Sequence, residues 1–282
     1  MVKKTIFTAY GEAKQRLKAA GIEPYGFEAR QIIRHITGYD NQQIMMKYNE
    51  QLTPLQLTFF NDVLARREKH YPLQYLLGTW SFYGLDFFVG DGVLIPRADT
   101  ETLTDTALEF LKDKNGARML DLCAGSGCIA ISVCKNADVT ADAVEKYDIP
   151  FEYLQKNIKK HGVRVNAVQD DVFSFEPTVK YDIIVSNPPY VSAAEMEEID
   201  TETSFEPDTA LYGGEDGLMF YRLIADRYVN YIKHGGMLAV EVGYKQARQV
   251  SEIFKAAGLE NVGTKKDAGG IQRVVFGTVK NV

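Results

Sequence analysis

An α/β fold with a mostly parallel sheet, preceded by a small helical domain, follows from three features of the chain. From Thr100 onward, apolar strand-like runs alternate with helix-like stretches, the order that sets successive strands parallel and covers the sheet with helices. Upstream, from about residue 4 to 70, apolar residues recur at helical spacing. Between the two lies a stretch rich in aromatics, β-branched residues and glycines. The expected divisions are therefore a helical domain at 1–71, a β-hairpin linker at 72–97 and the sheet domain at 98–282.

Each element has its own signal. Ala13, Leu17 and Ala20, then Ala29, Ile32, Ile33 and Ile36, fall on helical faces interrupted at Gly21-Ile-Glu-Pro24 and Gly38-Tyr-Asp40. Thr53-Pro54 joins an N-cap residue to proline at the first helical position and predicts a helix through Leu64 and Arg67. Trp80-Ser-Phe-Tyr-Gly84 and Phe87-Phe-Val-Gly90 read as the hairpin. Strands are then expected at 118–122, 139–144, 163–168, 181–186 and 236–242. A further apolar run at 271–278, with no helix behind it, suits an edge or antiparallel position.

Composition narrows the function. The 282 residues are 45% hydrophobic and 25% charged, ordinary for a soluble globular protein. A net charge of −6 argues against a broad surface for gripping phosphates, and direct DNA binding is not expected. Cys123, Cys128 and Cys134 come without a histidine cluster, so neither disulfides nor a metal site are expected. His35, His70, His161 and His234 are scattered and carry no evident chemistry. No apolar run reaches bilayer length; a cytoplasmic monomer with no membrane partner is the expectation.

Met119-Leu-Asp-Leu-Cys-Ala-Gly-Ser-Gly-Cys-Ile-Ala130 places Asp121 at a strand end, glycines in the turn and a helix start near Cys128. Gly125 and Gly127 let backbone approach a ligand closely. A dinucleotide binder uses a similar turn, but Ile129 and Ala130 stand where its third glycine belongs. S-adenosylmethionine is the better match, with Asp121 receiving its ammonium end, directly or through water. Glu145, after the second strand, suits ribose hydroxyls, with Asp142 as a rival. Asp171 and Val172, after the third, suit the adenine amine and ring.

After the fourth strand comes Asn187-Pro188-Pro189-Tyr190. Two prolines make a stiff turn with carbonyls in preset directions. An Asn side-chain oxygen and the Pro188 carbonyl can hold both N–H bonds of a planar amine, turning its lone pair outward, and the Tyr190 ring offers a flat face. All these groups fall at the carboxyl ends of parallel strands, where open α/β sheets bind ligands.

The arrangement resembles the class I S-adenosylmethionine-dependent methyltransferases, whose Rossmann-like sheet has seven strands. Within them it is similar to the HemK/PrmC family of protein-(glutamine-N5) methyltransferases acting on peptide chain release factors. Further carriers of the likeness are Pro72-Leu-Gln-Tyr-Leu-Leu-Gly78, Val93-Leu-Ile-Pro-Arg-Ala-Asp-Thr-Glu101, the run from Phe205 to Gly217 and Phe220-Tyr-Arg222. The resemblance implies a helical domain that docks the release factor and a catalytic domain that methylates the Gln of its Gly-Gly-Gln tripeptide. It implies cofactor contacts from Asp121, Cys123, Ala124, Gly125, Ser126, Gly127, Glu145, Asp171, Val172 and Asn187. Substrate contacts are implied from Asn187, Pro188, Pro189 and Tyr190, with Asn187, Pro188 and Tyr190 catalytic. The chain departs from the family pattern at Cys123-Ala124, where Gly-Thr is commoner, at Glu145, usually Asp, and at Ala98, often Pro. Arg97, Glu101, Glu206 and Asp216 fit either ion pairs or ligand contacts. Two rivals stand: methylation of a flipped adenine or cytosine amine, which uses the same turn, and a binding module that performs no transfer.

Overall fold

The computed structural model describes residues 4–281 and divides into two compact units. One ends at Gly78 and takes in Asp200–Phe205. Its helices are Ile6–Ala19, Tyr25–Thr37, Asn41–Met46, Pro54–Arg67 and Leu73–Leu77. Thr53 caps the fourth reciprocally: its hydroxyl accepts the Gln56 N–H while the Gln56 side chain accepts the Thr53 N–H. Ala9, Ala13, Leu17, Ile32, Ile33, Phe60 and Leu64 form the core of this unit, each essentially inaccessible. Arg67 is buried among them and donates to both oxygens of Glu28, at 2.7 and 2.8 Å, with Glu202 as a second partner. Buried charge is tolerated there because it is paired twice.

The second unit carries a hairpin, β1 (Thr79–Phe82) and β2 (Leu85–Phe88), and one sheet. The helix Leu73–Leu77 precedes the hairpin inside the stretch expected to be purely linker, an apolar run too short for periodicity to classify. The sheet contains β3 (Ala117–Leu122), β4 (Val139–Glu145), β5 (Val165–Gln169), β6 (Tyr181–Ser186), β7 (Ile232–Glu241), β8 (Glu260–Lys266) and β9 (Gln272–Thr278). Its order is β5-β4-β3-β6-β7-β9-β8, parallel through β7, with β9 antiparallel to both neighbours. β8 lacks a sequence signal because it is an edge strand with no fully buried residue, carrying Glu260, Lys265 and Lys266, with little apolar alternation to read.

Residues of the central strands alternate between two cores, one on each sheet face. Met119, Ile183, Val185 and Ala239 enter one, and Leu120, Leu122, Ile184 and Leu238 the other. Burial on both faces explains the nearly continuous apolar strands. No helix among the described residues is long and apolar enough to cross a membrane.

Asn157, wholly buried on the helix Asp148–His161, ties the hairpin to the turn after β3. Its Oδ1 accepts the Phe88 N–H at 2.7 Å, and its Nδ2 donates to the carbonyls of Phe88 and Ser126 at 3.1 and 2.9 Å. Replacing it with alanine strands these buried backbone groups, and a loss of about 2–3 kcal/mol is expected in urea unfolding. An unchanged midpoint would show that the hairpin and turn hold without it.

Candidate active site

Where β3, β4 and β6 end, a cavity of about 660 Å³ opens, lined mostly by apolar atoms. The turn after β3 forms one wall. Gly127, at φ +80°, starts the helix Cys128–Asn136, and a Cβ there would stand 2.5 Å from Leu154. Gly125 is also left-handed, at φ +54°. Cys123 adopts φ 60° without being glycine, a strained conformation at the position where the resembling family more often carries glycine.

Glu145, at the tip of β4, holds this turn. One carboxylate oxygen accepts the Gly125 N–H and the other the Tyr147 N–H, both at 2.9 Å. Burial raises its carboxyl above the ordinary range, and the backbone donors oppose this. Each oxygen keeps a lone pair for a further donor. Asp142, the rival for that place, is absent from the cavity wall; its carboxylate accepts from the Tyr181 hydroxyl and Asn166, both at 2.8 Å.

Asp121 lies beneath the turn, fully buried. Its Oδ2 accepts the Ala130 N–H at 3.1 Å, and its Oδ1 has no partner. Burial pushes this carboxyl up to about 7, nearby Glu145 adding to the rise and the Ala130 N–H opposing it. An unpartnered buried carboxylate oxygen suits a cation. Asp171 pairs with Lys146 at 2.9 Å and accepts the Phe173 N–H at 3.0 Å; burial raises its carboxyl, but these partners outweigh it and hold it below the usual range. Val172 is fixed by the Tyr228 hydroxyl, which donates to its carbonyl at 2.7 Å.

The opposite wall carries Asn187 and Pro189. Ser186 anchors the turn, donating to the Leu122 carbonyl at 2.7 Å. Gly213 packs so tightly against it that a Cβ would come within 2.6 Å of Tyr190 Cα. Thus the cavity wall brings together Cys123, Ala124, Gly125, Ser126, Glu145, Asp171, Val172, Asn187 and Pro189. Asp121, Gly127, Pro188 and Tyr190 stand behind that lining rather than in it. Tyr190 in particular packs against a sheet core, with its hydroxyl 3.5 Å from Glu241.

Arg97 is on the wall and pairs with buried Glu206, whose other oxygen accepts the Ile95 N–H at 2.9 Å. Glu101 accepts the Tyr83 N–H of the hairpin turn at 2.7 Å, and Asp216 pairs with Arg222 at 2.5 Å. Thr100, Tyr147 and Phe220 also line the cavity, and Asn157 stands outside that lining; Thr100 and Phe220 fall in strings that carry the family likeness, but the sequence assigns none of the four a role. None sits in a local pattern that reports its neighbours.

Residues 8–78 match the family model described as PrmC N-terminal domain, and residues 97–208 match methyltransferase small domain. A release factor glutamine methyltransferase of Geobacter sulfurreducens is 38% identical over 93% of this chain and 93% of its own. One of Clostridium botulinum is 34% identical over 98% of each. Among solved structures, a methyltransferase from Pyrococcus furiosus, 19% identical, superposes with a TM-score of 0.53 over 72% of this chain and 92% of that one, a likeness of fold. With identity of this level running through both the helical unit and the sheet unit, the chain belongs to the release factor glutamine methyltransferase family.

Proposed function

We propose that the protein transfers a methyl group from S-adenosylmethionine to the side-chain amide nitrogen of the Gln in the Gly-Gly-Gln tripeptide of peptide chain release factors. The observation that carries this reading is the single cavity with the glycine turn, Glu145 and Asp171 on one wall and the Asn187 turn on the other. A cofactor and a planar amide can meet there.

The residues present fit the cofactor. The orphaned Asp121 oxygen suits an ammonium, the free lone pairs of Glu145 suit ribose hydroxyls, and Asp171 with Val172 suits an adenine. S-adenosylmethionine, when bound, supplies a methyl group activated by positive sulfur. The chain's own part is positioning. Asn187 Oδ1 and the Pro188 carbonyl hold the substrate amide hydrogens, directing the lone pair and stabilising positive charge as it grows on nitrogen. Pro189 supplies a rigid apolar wall, and Tyr190 braces the turn from behind. The helical unit is the proposed release-factor dock, and the enzyme acts as a cytoplasmic monomer.

The deciding assay is methyl transfer from labelled S-adenosylmethionine to a folded release factor, to its Gly-Gly-Gln variant with Ala for Gln, and to double-stranded DNA. Label on the intact factor alone is expected; label on DNA would replace the reading with base methylation. Asn187→Ala should lower turnover by about 100-fold or more while cofactor binding largely survives. Turnover near that of the unaltered enzyme would remove Asn187 from the mechanism.

Asp121 also sets a pH dependence. Between its unfolded value near 3.8 and its folded value of about 7, the folded state keeps a proton that the unfolded chain has lost. Stability without ligand therefore declines as pH rises across that window. An ammonium beside Asp121 selects the ionised form, so cofactor affinity should rise about tenfold from pH ~5.5 to ~7 in titration calorimetry. Affinity that is flat with pH would refute the Asp121 assignment.

A further inference from the structure

The helical unit carries a groove that methyl transfer itself does not use. Its walls come from the helices Ile6–Ala19, Tyr25–Thr37 and Asn41–Met46, and it encloses about 400 Å³, a size that accepts ligands or side chains. Ile6 and Ile33, both inaccessible to water, lie at its base, with Phe7, Tyr10, Met45 and Tyr48 around them. Backbone hydrogen bonds hold this shape. The N–H groups of Ile6 and Phe7 donate to the carbonyls of Glu50 and Tyr48 at 2.9 and 2.8 Å, clamping the chain that follows the short helix against the start of the first helix. The Phe7 and Tyr48 rings meet edge to face with centroids 5.4 Å apart. At the other end of the short helix, Asp40 accepts the Gln43 N–H at 2.8 Å, and the Gln43 side chain accepts the Asp40 N–H at 3.0 Å. The helix fixed in this way buries none of its own residues. Met45 is 76% exposed and Phe7 59%. Apolar residues held together in water mark an interaction site, and the flexible, polarizable methionine suits an adaptable contact.

The charges beside the groove are basic. Arg30 lines it and has no hydrogen-bond or ion-pair partner among the described residues. Arg34, one turn further along the same helix, meets a neutral group, the Gln31 side-chain oxygen, at 3.2 Å. Lys14 sets its ammonium 5.5 Å from the centre of the Tyr10 ring. The acids nearest in sequence are engaged: Glu12 by Lys4 at 2.5 Å and Arg16 at 3.5 Å, Asp40 in its cap, and Glu50 by the Tyr39 hydroxyl at 2.9 Å and Lys47 at 3.7 Å. Residues 1–78 carry eleven Lys and Arg against seven Asp and Glu, the reverse of the 32 against 38 of the whole chain. The balance of this unit stays positive when Asp200 and Glu202 of its second segment are included. An apolar cleft edged by an unpaired guanidinium complements an apolar side chain that neighbours a carboxylate. A nucleic acid backbone would satisfy Arg30 but leave Phe7 and Met45 in water.

We propose that this groove is where the helical unit holds the release factor, taking a segment outside the Gly-Gly-Gln tripeptide in which a large apolar side chain stands beside an acidic one. This rests on the reading of the helical unit as the release-factor dock. The test is steady-state methyl transfer by the full chain from S-adenosylmethionine to a folded release factor, for Met45→Glu, Arg30→Glu, Arg30→Lys and Leu55→Glu. All three positions are exposed, so the substitutions spare the core. Leu55, 80% exposed on the helix Pro54–Arg67 and outside the groove lining, serves as the control. Met45→Glu and Arg30→Glu should each raise the KM for the release factor about tenfold, with kcat and the KM for S-adenosylmethionine within about twofold of normal. Arg30→Lys should recover most of the Arg30→Glu loss, and Leu55→Glu should leave the KM unchanged. Added salt should raise the KM of the unaltered enzyme more than that of Arg30→Glu. A normal KM in either Met45→Glu or Arg30→Glu, or an equal rise in Leu55→Glu, would overturn this proposal and leave the methyl-transfer reading intact. Sedimentation in which the unaltered chain pairs with a second copy and Met45→Glu does not would give the groove to self-association instead. Failure of the unaltered chain to label the release factor would remove the reading beneath the proposal as well.

Discussion

The site depends on the pairing of β3 along both of its edges. Leu122 is in register with Val144 of β4 on one side and Ser186 of β6 on the other. Three chain segments therefore leave the sheet at one level, and the connections after β3 and β6 must diverge because their strands lie on opposite sides of a change in order. The cavity is the space that this divergence opens. Its contents are fixed by register, since a slip of one residue would turn Asp121, Glu145 and Asn187 to other faces.

Around this space the chain spends much of its polar capacity on holding backbone. Glu145 takes the amides of Gly125 and Tyr147, Asn157 bridges Phe88 and Ser126, and Ser186 caps the Leu122 carbonyl. These bonds satisfy groups that burial would otherwise strand, and they stiffen both walls. Against that background the unsatisfied oxygens of Asp121 and Glu241 are exceptions, each costly in an apolar interior. Both lie directly behind a wall of the cavity. Their carboxyls are raised for one dominant reason, loss of water, and each would be eased by a group arriving from the cavity side or by a neighbour that donates a proton.

The hairpin belongs to the same construction. Glu101 and Asp105 hold Tyr83 by its backbone and hydroxyl, at 2.7 and 2.6 Å, so the helix that begins at Glu101 is joined to the hairpin turn. Thr100, one residue earlier, is thereby delivered to the cavity wall. Such an arrangement ties residues distant in sequence into one rigid frame, and positioning of a planar amide needs a rigid frame.

The sequence by itself determined the alternation of strands and helices, the glycine turn and the stiff Asn187 turn, because each is local chemistry: periodic burial, left-handed backbone at Gly127, and proline's fixed geometry. The helix start near Cys128 and the strand 181–186 could be read for this reason. Tertiary structure alone decided the rest. It chose Glu145 over Asp142 for the cavity, since Asp142 is claimed by Asn166 of the adjacent β5 and by Tyr181 of β6, two strands away. It placed Tyr190 behind the turn, added β8 as a charged edge strand, and set Thr100 against Asn187. The physical reason is common to all four: which side chain meets which across separate elements is set by strand order and register, and no local window of sequence contains either.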